Sequence, residues 1–259
     1  MSFLKSIVAI LLTSSLFIAC EEDTQTTPTN PRILNLQTTG DSANELLSAK
    51  AYTSLTLELV SVKGFEPTDQ AVDNFVDFIE ARTFKPGGVK LIERSIDSPN
   101  EESLTIEEVD ELEKKNRTEY SDATNHAIYV YFADAENKKT ADSRNNPGGE
   151  REIILGTAYR NTSMVIYEKT LRDITRTRPN SLANTETSIL NHEFGHLLGL
   201  VNLGTRMQTP HEALGDEKGH CNVEGCLMQA NFQAAMLNSN TVLELDPLCI
   251  QDLQGNGGR

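Results

Sequence analysis

Two histidines with a glutamate between them are the residues whose types and spacing specify a chemistry in this chain. His192, Glu193 and His196 form the pattern HExxH in the segment SILNHEFGHLLGL. On a helix, residues four apart lie on one face, so both imidazoles can reach one metal ion while Glu193 lies beside it. Imidazole suits Zn²⁺, which activates water for attack on a carbonyl. We predict a zinc site with Glu193 as catalytic base; the alternative is an accidental match on a buried apolar helix.

The residues that follow HExxH in this chain differ at one position from a longer zinc-binding motif. In metzincin metallopeptidases the motif runs HExxHxxGxxH, and its last histidine completes the metal site. This chain has the glycine as Gly199, but Asn202 stands in the final position. An amide oxygen is a poor zinc ligand, so the third ligand must come from elsewhere.

The string HCx4CxM at residues 220–228 supplies a candidate. It resembles the segment of archaemetzincins that begins with the third histidine and ends in the methionine of the turn beneath the zinc. The resemblance implies His220 as the third ligand, Met228 in the Met-turn, and residues 202–219 as an insertion. His211, inside that insertion, is the alternative third ligand.

Three cysteines in this region, Cys221, Cys226 and Cys249, could form either a second metal site or a disulfide. Archaemetzincins carry a structural zinc on four cysteines, the later pair being CxxC, whereas the corresponding place here is assigned to Cys249-Ile-Gln-Asp252. Three thiolates and a carboxylate can hold zinc. A disulfide between Cys221 and Cys226, with Cys249 left over, is the alternative in an oxidising compartment.

The N-terminal residues have the features of an export signal. One lysine precedes an apolar run that is too short for a comfortable membrane span and ends at Cys20. Leu-Phe-Ile-Ala-Cys resembles a bacterial lipobox, which implies a signal peptide at residues 1–19 and lipidation of Cys20. The protein is then expected at the bacterial cell envelope, lipid-anchored to the outer membrane or cell surface. Polar residues 20–48 are predicted to form a flexible tether, or alternatively a short pro-segment.

Residues 49–259 are predicted to form one metallopeptidase domain. Alternating and helical hydrophobic patterns give the order strand, helix, strand, helix, strand, strand, zinc helix. The predicted segments are residues 54–62, 69–84, 87–93, 104–115, 127–132, 153–159 and 163–167, with a surface loop at 136–150. We therefore expect an α/β (α+β) domain of metzincin-like (zincin) fold, with a mixed twisted sheet and a small irregular C-terminal subdomain.

The charge balance limits the classes of partner. With 38 acidic against 23 basic residues the formal net charge is −15, which disfavours nucleic-acid binding. We expect a monomer that acts on a peptide or protein, with Gly156 to Tyr159 either pairing with extended substrate or packing in the core. The favoured function is a zinc metalloendopeptidase. The alternatives are an inactive zinc lipoprotein that binds peptide or polymer, and an aminopeptidase.

Overall fold

A computed structural model describes residues 30, 32–146, 152–178, 181–231 and 241–259. The proposed signal peptide and Cys20 lie outside the described residues. Among the described helices, none combines the length and the apolar character needed to cross a bilayer. The elements, in chain order, are α1 (Ala43–Leu47), β1 (Ser54–Val62), α2 (Asp69–Arg82), β2 (Val89–Ile96), β3 (Ser103–Leu104), α3 (Ile106–Asn116), β4 (Asn125–Phe132), β5 (Glu136–Asn137), α4 (Lys138–Arg144), β6 (Gly156–Arg160), β7 (Ser163–Ile166), α5 (Glu168–Thr175), α6 (Leu182–Leu197) and α7 (Pro247–Gly255).

A five-stranded mixed sheet has the order β2-β1-β4-β7-β6. The first four strands are parallel, and β6 runs antiparallel to β7 at one edge. Parallel strands need helical crossovers, which explains why helices alternate with them along the chain. The predicted α/β fold with a mixed sheet is confirmed, and β6 is left as an edge strand with one open side.

Helices cover both faces of the sheet. On one face, α2 and α6 pack against alternate side chains of β1 and β4, so that Phe75 and Phe194 meet edge to face at 5.5 Å. On the other face, α3 covers the intervening side chains, which include Tyr129 and Tyr131. Side chains of a strand alternate between the two faces, and both sets are buried here, as expected for a covered parallel sheet. The motif helix α6 is therefore a core element.

The segment 32–48 contradicts its prediction as part of a flexible tether. Leu46 and Leu47 of α1 are fully buried, and the amide of Asn35 donates to Ser121 Oγ, the Ala127 carbonyl oxygen and Thr162 Oγ1 at 2.8–3.0 Å. Composition suggested disorder because few apolar residues occur here. The polar residues, however, satisfy buried main-chain and hydroxyl groups of the domain, which orders the segment.

Two further differences concern short helices. The predicted surface loop at 136–150 contains α4, which begins where the Asn137 side chain accepts from the Lys139 N–H at 2.8 Å. Helix α5 has no counterpart among the sequence predictions. It is fixed by Arg172, which donates to Glu168 and to two carbonyl oxygens before α2. Neither helix has a long apolar repeat, so the pattern of the sequence did not reveal them.

Candidate metal centres

The motif helix α6 places its two histidines as the spacing predicts. His192 and His196 are both buried, and their Nε2 atoms lie 3.1 Å apart. A tetrahedral zinc ion with nitrogen ligands at about 2.0–2.1 Å would hold two of them about 3.3 Å apart. The helix ends at Leu197, and Gly199 follows it with a φ of +72°, the left-handed conformation common just after a helix C-terminus. This conformation turns the chain away just after the site.

His220 lies beside the two helix histidines, although the eighteen residues of the insertion, 202–219, separate it from the end of the motif. One ligand atom from each of His192, His196 and His220 lies within 4.8 Å of the other two. The loop that carries His220 is held by main-chain hydrogen bonds, since the His220 carbonyl oxygen accepts from the Ala213 N–H at 2.8 Å. The three-histidine arrangement implied by the resemblance is thus present in the fold.

Hydrogen bonding and burial leave the helix histidines neutral and ready to bind a cation. Nδ1–H of His192 donates to the Leu227 carbonyl oxygen at 2.8 Å, which leaves the lone pair on Nε2. Burial lowers the pKa of His192 to about 3 and also lowers the pKa values of His196 and His220. Three unprotonated imidazoles that converge on one point fit a zinc ion.

Glu193 lies between the histidines and the open edge of the sheet. Its Oε2 accepts a hydrogen bond from the Ala158 N–H of β6 at 2.8 Å. Burial raises the pKa of Glu193 to about 8, and the bond from Ala158 opposes that shift. A β-carbon on Gly156 would lie 2.7 Å from Glu193 Cγ, so only glycine fits there. Two of the predicted strand contacts therefore touch the proposed base.

These groups open into a cleft of about 920 Å³. Its floor contains the three histidines and Glu193, and its upper rim is β6 with the residues just before it. Its remaining lining includes Thr39, Ile153, Ile189, Leu203, Lys218 and Asn231. Such a cleft, lined by apolar side chains together with convergent polar groups, is typical of a ligand site.

Met228 lies beneath the motif helix. The structure packs its sulfur against Gly195 so closely that a β-carbon at that glycine would overlap it. Met228 is fully buried, and Leu227, immediately before it, supplies the carbonyl oxygen that orients His192. The predicted place of Met228 below the histidines agrees with this packing.

A second group of ligand-type side chains lies next to the first. Cys221, Cys226, Cys249 and Asp246 are buried, and one ligand atom of each lies within 4.8 Å of the others. We call these four residues the thiol site. Its sulfur atoms of Cys226 and Cys249 are 3.8 Å apart, the spacing of about 3.8 Å that two thiolates take on a tetrahedral zinc ion.

Two alternatives for the cysteines are corrected by this geometry. All three cysteines are free, so the disulfide between Cys221 and Cys226 is not formed. The carboxylate of the site is Asp246, not Asp252. Asp246 stands three residues before Cys249, so Asp-Pro-Leu-Cys has the spacing of a CxxC pair, whereas Asp252 accepts from the Gln208 N–H at 2.6 Å.

Hydrogen bonds among the three thiols change their pKa values in opposite directions. Bonds from Cys226 and Cys249 lower the pKa of Cys221 to about 4, and the same contact with Cys221 raises the pKa of the other two thiols. Asp246 also has a lowered pKa, since bonds from Cys226 and the Leu248 N–H outweigh burial. Its Oδ2 lies 3.2 Å from Cys221 Sγ. A cation between these two acidic groups would satisfy both.

His211, the alternative third ligand, lies elsewhere. It is buried, and its Nδ1–H donates to the Thr209 carbonyl oxygen at 2.8 Å. Its Nε2 is 3.6 Å from Cys249 Sγ and 3.5 Å from Asp252 Oδ2. His211 therefore borders the thiol site and is not part of the histidine group.

Comparison with known proteins identifies the fold. No known protein-family model matches the chain, and no curated protein matches it. Among solved structures it is similar to archaemetzincin from Methanopyrus kandleri, with a TM-score of 0.51, 18% identity, and coverage of 79% of this chain and 96% of that one. The chain has the archaemetzincin fold. That fold accounts for the mostly parallel sheet and for the motif helix packed beneath the edge strand.

Two residues of these sites, Asp246 and Thr39, were not predicted from the sequence. Asp246 is not among the predicted ligands, because the predicted carboxylate, Asp252, follows Cys249 whereas Asp246 precedes it at the same DxxC spacing. Thr39, which lines the cleft and donates to the Ala158 carbonyl oxygen at 3.2 Å, lay in the predicted tether. No local signal marked it, because its position depends on long-range packing of the N-terminal segment.

Proposed function

We propose that this chain is a zinc-dependent metalloendopeptidase. The observation that carries the proposal is the convergence of His192, His196 and His220 on the floor of a cleft, with Glu193 between them and an open edge strand. The same cleft geometry would suit a peptide laid along β6. The archaemetzincin fold supports the proposal at the level of architecture.

The chemistry follows from the residues of the site. A zinc ion held by the three histidines would supply Lewis acidity to the scissile carbonyl and to the attacking water. Glu193 takes the proton from that water and passes it to the leaving amine. Its position beside the three histidines, with one carboxylate oxygen held by the Ala158 N–H, suits a group that accepts a proton from the water and releases it to the leaving amine.

Substrate pairing is assigned to the edge strand. The N–H and carbonyl of Ala158 are both bound by groups outside the sheet, namely Glu193 and Thr39. These main-chain groups therefore face the cleft, and an extended peptide that paired with Ala158 would take the places of these two side-chain partners. Residues of β6 would give register, and the cleft lining would give side-chain preference.

One observation favours the aminopeptidase alternative. The Thr39 hydroxyl already occupies the Ala158 carbonyl oxygen, so the free edge of β6 is partly covered next to Glu193. A substrate that ended close to the scissile bond would not compete with Thr39. Blocked and free peptide termini separate this alternative from endopeptidase activity.

The test uses quenched fluorescent peptide libraries, one blocked at both termini and one with free amino termini. We expect the zinc-loaded protein to cleave blocked peptides, and Glu193→Gln to lose turnover by at least about 100-fold while keeping its zinc. Glu224→Gln, which makes the same change of charge at an exposed position, serves as the control.

Cleavage of free peptides alone would support the aminopeptidase. Unchanged cleavage by Glu193→Gln would refute the catalytic assignment, and zinc binding with no cleavage of either library would support the inactive binding protein.

We also propose that the protein is attached to the bacterial envelope through a lipid on Cys20, as a monomer that does not bind nucleic acid. Support comes from the sequence alone, in the lipobox resemblance and the acidic charge balance. Mass spectrometry of the N-terminal peptide tests it, since a diacylated Cys20 is expected in the wild type. Release of Cys20→Ser from the membrane fraction is expected as well, and retention would contradict the anchor.

A further inference from the structure

The N-terminal segment crosses one end of the cleft. On one side, the Thr39 hydroxyl donates to the Ala158 carbonyl oxygen of β6 at 3.2 Å. On the other side, Gly40 touches the loop that follows the motif helix, since a β-carbon at Gly40 would lie 2.1 Å from the Leu203 carbonyl oxygen. Thr39 and Leu203 both line the cleft. Residues 37–40 therefore join the edge strand to that loop, and we call them the end wall.

Asn161, in the turn between β6 and β7, fixes the end wall to the sheet. Its N–H donates to the Gln37 carbonyl oxygen at 3.0 Å, and its side-chain oxygen accepts from the Gln37 N–H at 3.1 Å. Its side-chain amide donates to the Leu34 carbonyl oxygen at 2.9 Å and to Ser42 Oγ at 2.7 Å. Asn161 is fully buried, so water does not compete for these bonds.

Close main-chain packing fixes the end wall to the loop after α6. A β-carbon at Gly204 would lie 2.2 Å from the Gly40 carbonyl oxygen, and one at Gly199 would lie 2.8 Å from Ala43 Cβ. Immediately after the end wall, Leu46 and Leu47 of α1 are fully buried in the core. Moving residues 37–40 aside would break these contacts, so the end wall is a built-in part of the domain.

The open edge of β6 ends at Ala158 because of this wall. Main-chain groups of alternate strand residues face the same side, so those of Gly156 and Ala158 face the cleft together. Past Ala158 the pairing with β7 is irregular between Ala158 and Arg160. The N–H of Asn161, farther along, is already bound to Gln37.

We propose that the end wall restricts the substrate to a short, unfolded peptide whose chain ends, or turns out of the cleft, next to Ala158. The Thr39 hydroxyl can rotate away, so pairing can reach Ala158, but the main chain of residues 37–40 stops pairing beyond it. The peptide is then held in extended form on one side of Ala158 only. This inference rests on the cleft of the proposed function, but its tests measure binding and amide exchange, not hydrolysis.

The first test measures peptide binding to the zinc-loaded Glu193→Gln protein by fluorescence anisotropy. Two series of labelled peptides share a core sequence, and one is lengthened at its amino end while the other is lengthened at its carboxyl end. We expect affinity to rise with length in one series and to stop rising almost at once in the other. A similar gain in both series, or a gain in neither, would overturn the proposal. Asymmetric binding by a protein that hydrolyses neither peptide library would refute the proposed function and leave this inference intact.

Thr39→Ala, made in the same background, tests the contact at the end of the open edge. It removes the hydroxyl that occupies the Ala158 carbonyl oxygen, so a peptide forms this bond without displacing a partner. We expect binding to tighten by about 3- to 10-fold. Thr38→Ala makes the same change at the neighbouring exposed residue and should bind as before. Unchanged affinity in Thr39→Ala would show that peptide does not reach Ala158, which contradicts the proposal.

Hydrogen exchange tests whether the end wall stays in place. The amides of Gln37, Ala43 and Asn161 are hydrogen-bonded, so we expect slow exchange in the free protein and no acceleration under saturating peptide. Faster exchange on peptide binding would show that the wall moves aside, and would overturn the proposal.

Asn161→Ala loosens the end wall by removing its side-chain bonds. We expect faster exchange at Gln37 in this variant, together with a new gain of affinity in the peptide series that stopped in the parent protein. A loosened wall with the same stop would show that residues 37–40 do not limit the substrate. If Asn161→Ala does not fold, the comparison of Thr39→Ala with Thr38→Ala decides.

Discussion

At the residue scale, the contact between Gly156 and Glu193 links the edge strand to the proposed base. The missing side chain of Gly156 lets the Glu193 carboxylate lie against β6, where it accepts from the Ala158 N–H. The orientation of the base is therefore set by a strand residue as well as by its own helix. Catalysis by a positioned base is sensitive to displacements of about 1 Å.

Gly156→Ala tests that contact. The added methyl would press on Glu193 Cγ and Oε1 and on Ile189 Cγ2, all within 2.9 Å, so the carboxylate must move. We expect kcat to fall by about 10- to 100-fold with zinc content unchanged. Steady-state kinetics on the zinc-loaded protein, with metal analysis alongside, check this. A normal kcat would show that the close packing does not orient Glu193.

At the element scale, two helices begin with a threonine cap but in different surroundings. Thr105 forms a capping box with Glu108 at the exposed start of α3. Thr68 caps α2, and its hydroxyl also donates to the buried Glu186 of the motif helix at 2.5 Å. The second cap therefore joins α2 to α6, the pair of helices that covers one face of the sheet.

Replacing each cap by alanine should separate the two roles. Thr105→Ala is expected to cost about 1 kcal/mol of unfolding free energy, the usual effect of a lost cap. Thr68→Ala should cost more, about 2–3 kcal/mol, because it also removes a partner from a buried carboxylate. Urea denaturation of the zinc-loaded variants measures both. Equal losses would show that the bond to Glu186 adds nothing.

At the scale of the whole molecule, a buried pair of carboxyl groups ties the start of α5 to α6. Glu168 and Glu186 are both fully buried; Arg172 donates to the first at 2.6 Å and Thr68 to the second. Burial, followed by the neighbouring Glu186, raises the pKa of Glu168 to about 9, and burial raises that of Glu186. The folded protein therefore retains a proton here that the unfolded chain releases.

This proton makes stability depend on pH in a defined direction. Between the unfolded pKa of 4.5 and the folded value of about 9, the folded state binds more protons, so stability falls as pH rises. One proton corresponds to a slope of about 1.4 kcal/mol per pH unit. Glu168→Gln should lower the measured slope by about 1.4 kcal/mol per pH unit between pH 6 and 8, whereas exposed Glu224→Gln should leave it unchanged. Equal slopes in the wild type and Glu168→Gln, from denaturation at each pH, would contradict the assignment.

Features that depend on the spacing of neighbouring residues could be predicted from the sequence. His192, Glu193 and His196 follow from the helical repeat, and the β1 and α2 patterns follow from burial on one or both faces. The place of His220 came from the resemblance of its motif, since eighteen intervening residues carry no geometric information. Asp246 and the ordered Asn35 segment depend on which loops pack together. Their polar side chains gave no hydrophobic pattern from which that packing could be predicted.

The most direct test of the account is metal content of the intact protein, compared with His220→Ala and His211→Ala under saturating zinc. The structure predicts two zinc ions in the wild type, one in His220→Ala and two in His211→Ala, because His211 lies outside the histidine group. Cobalt substitution should show that the ion left in His220→Ala is bound by sulfur. Retention of both ions in His220→Ala, or loss of the nitrogen-bound ion in His211→Ala, would contradict the assigned site.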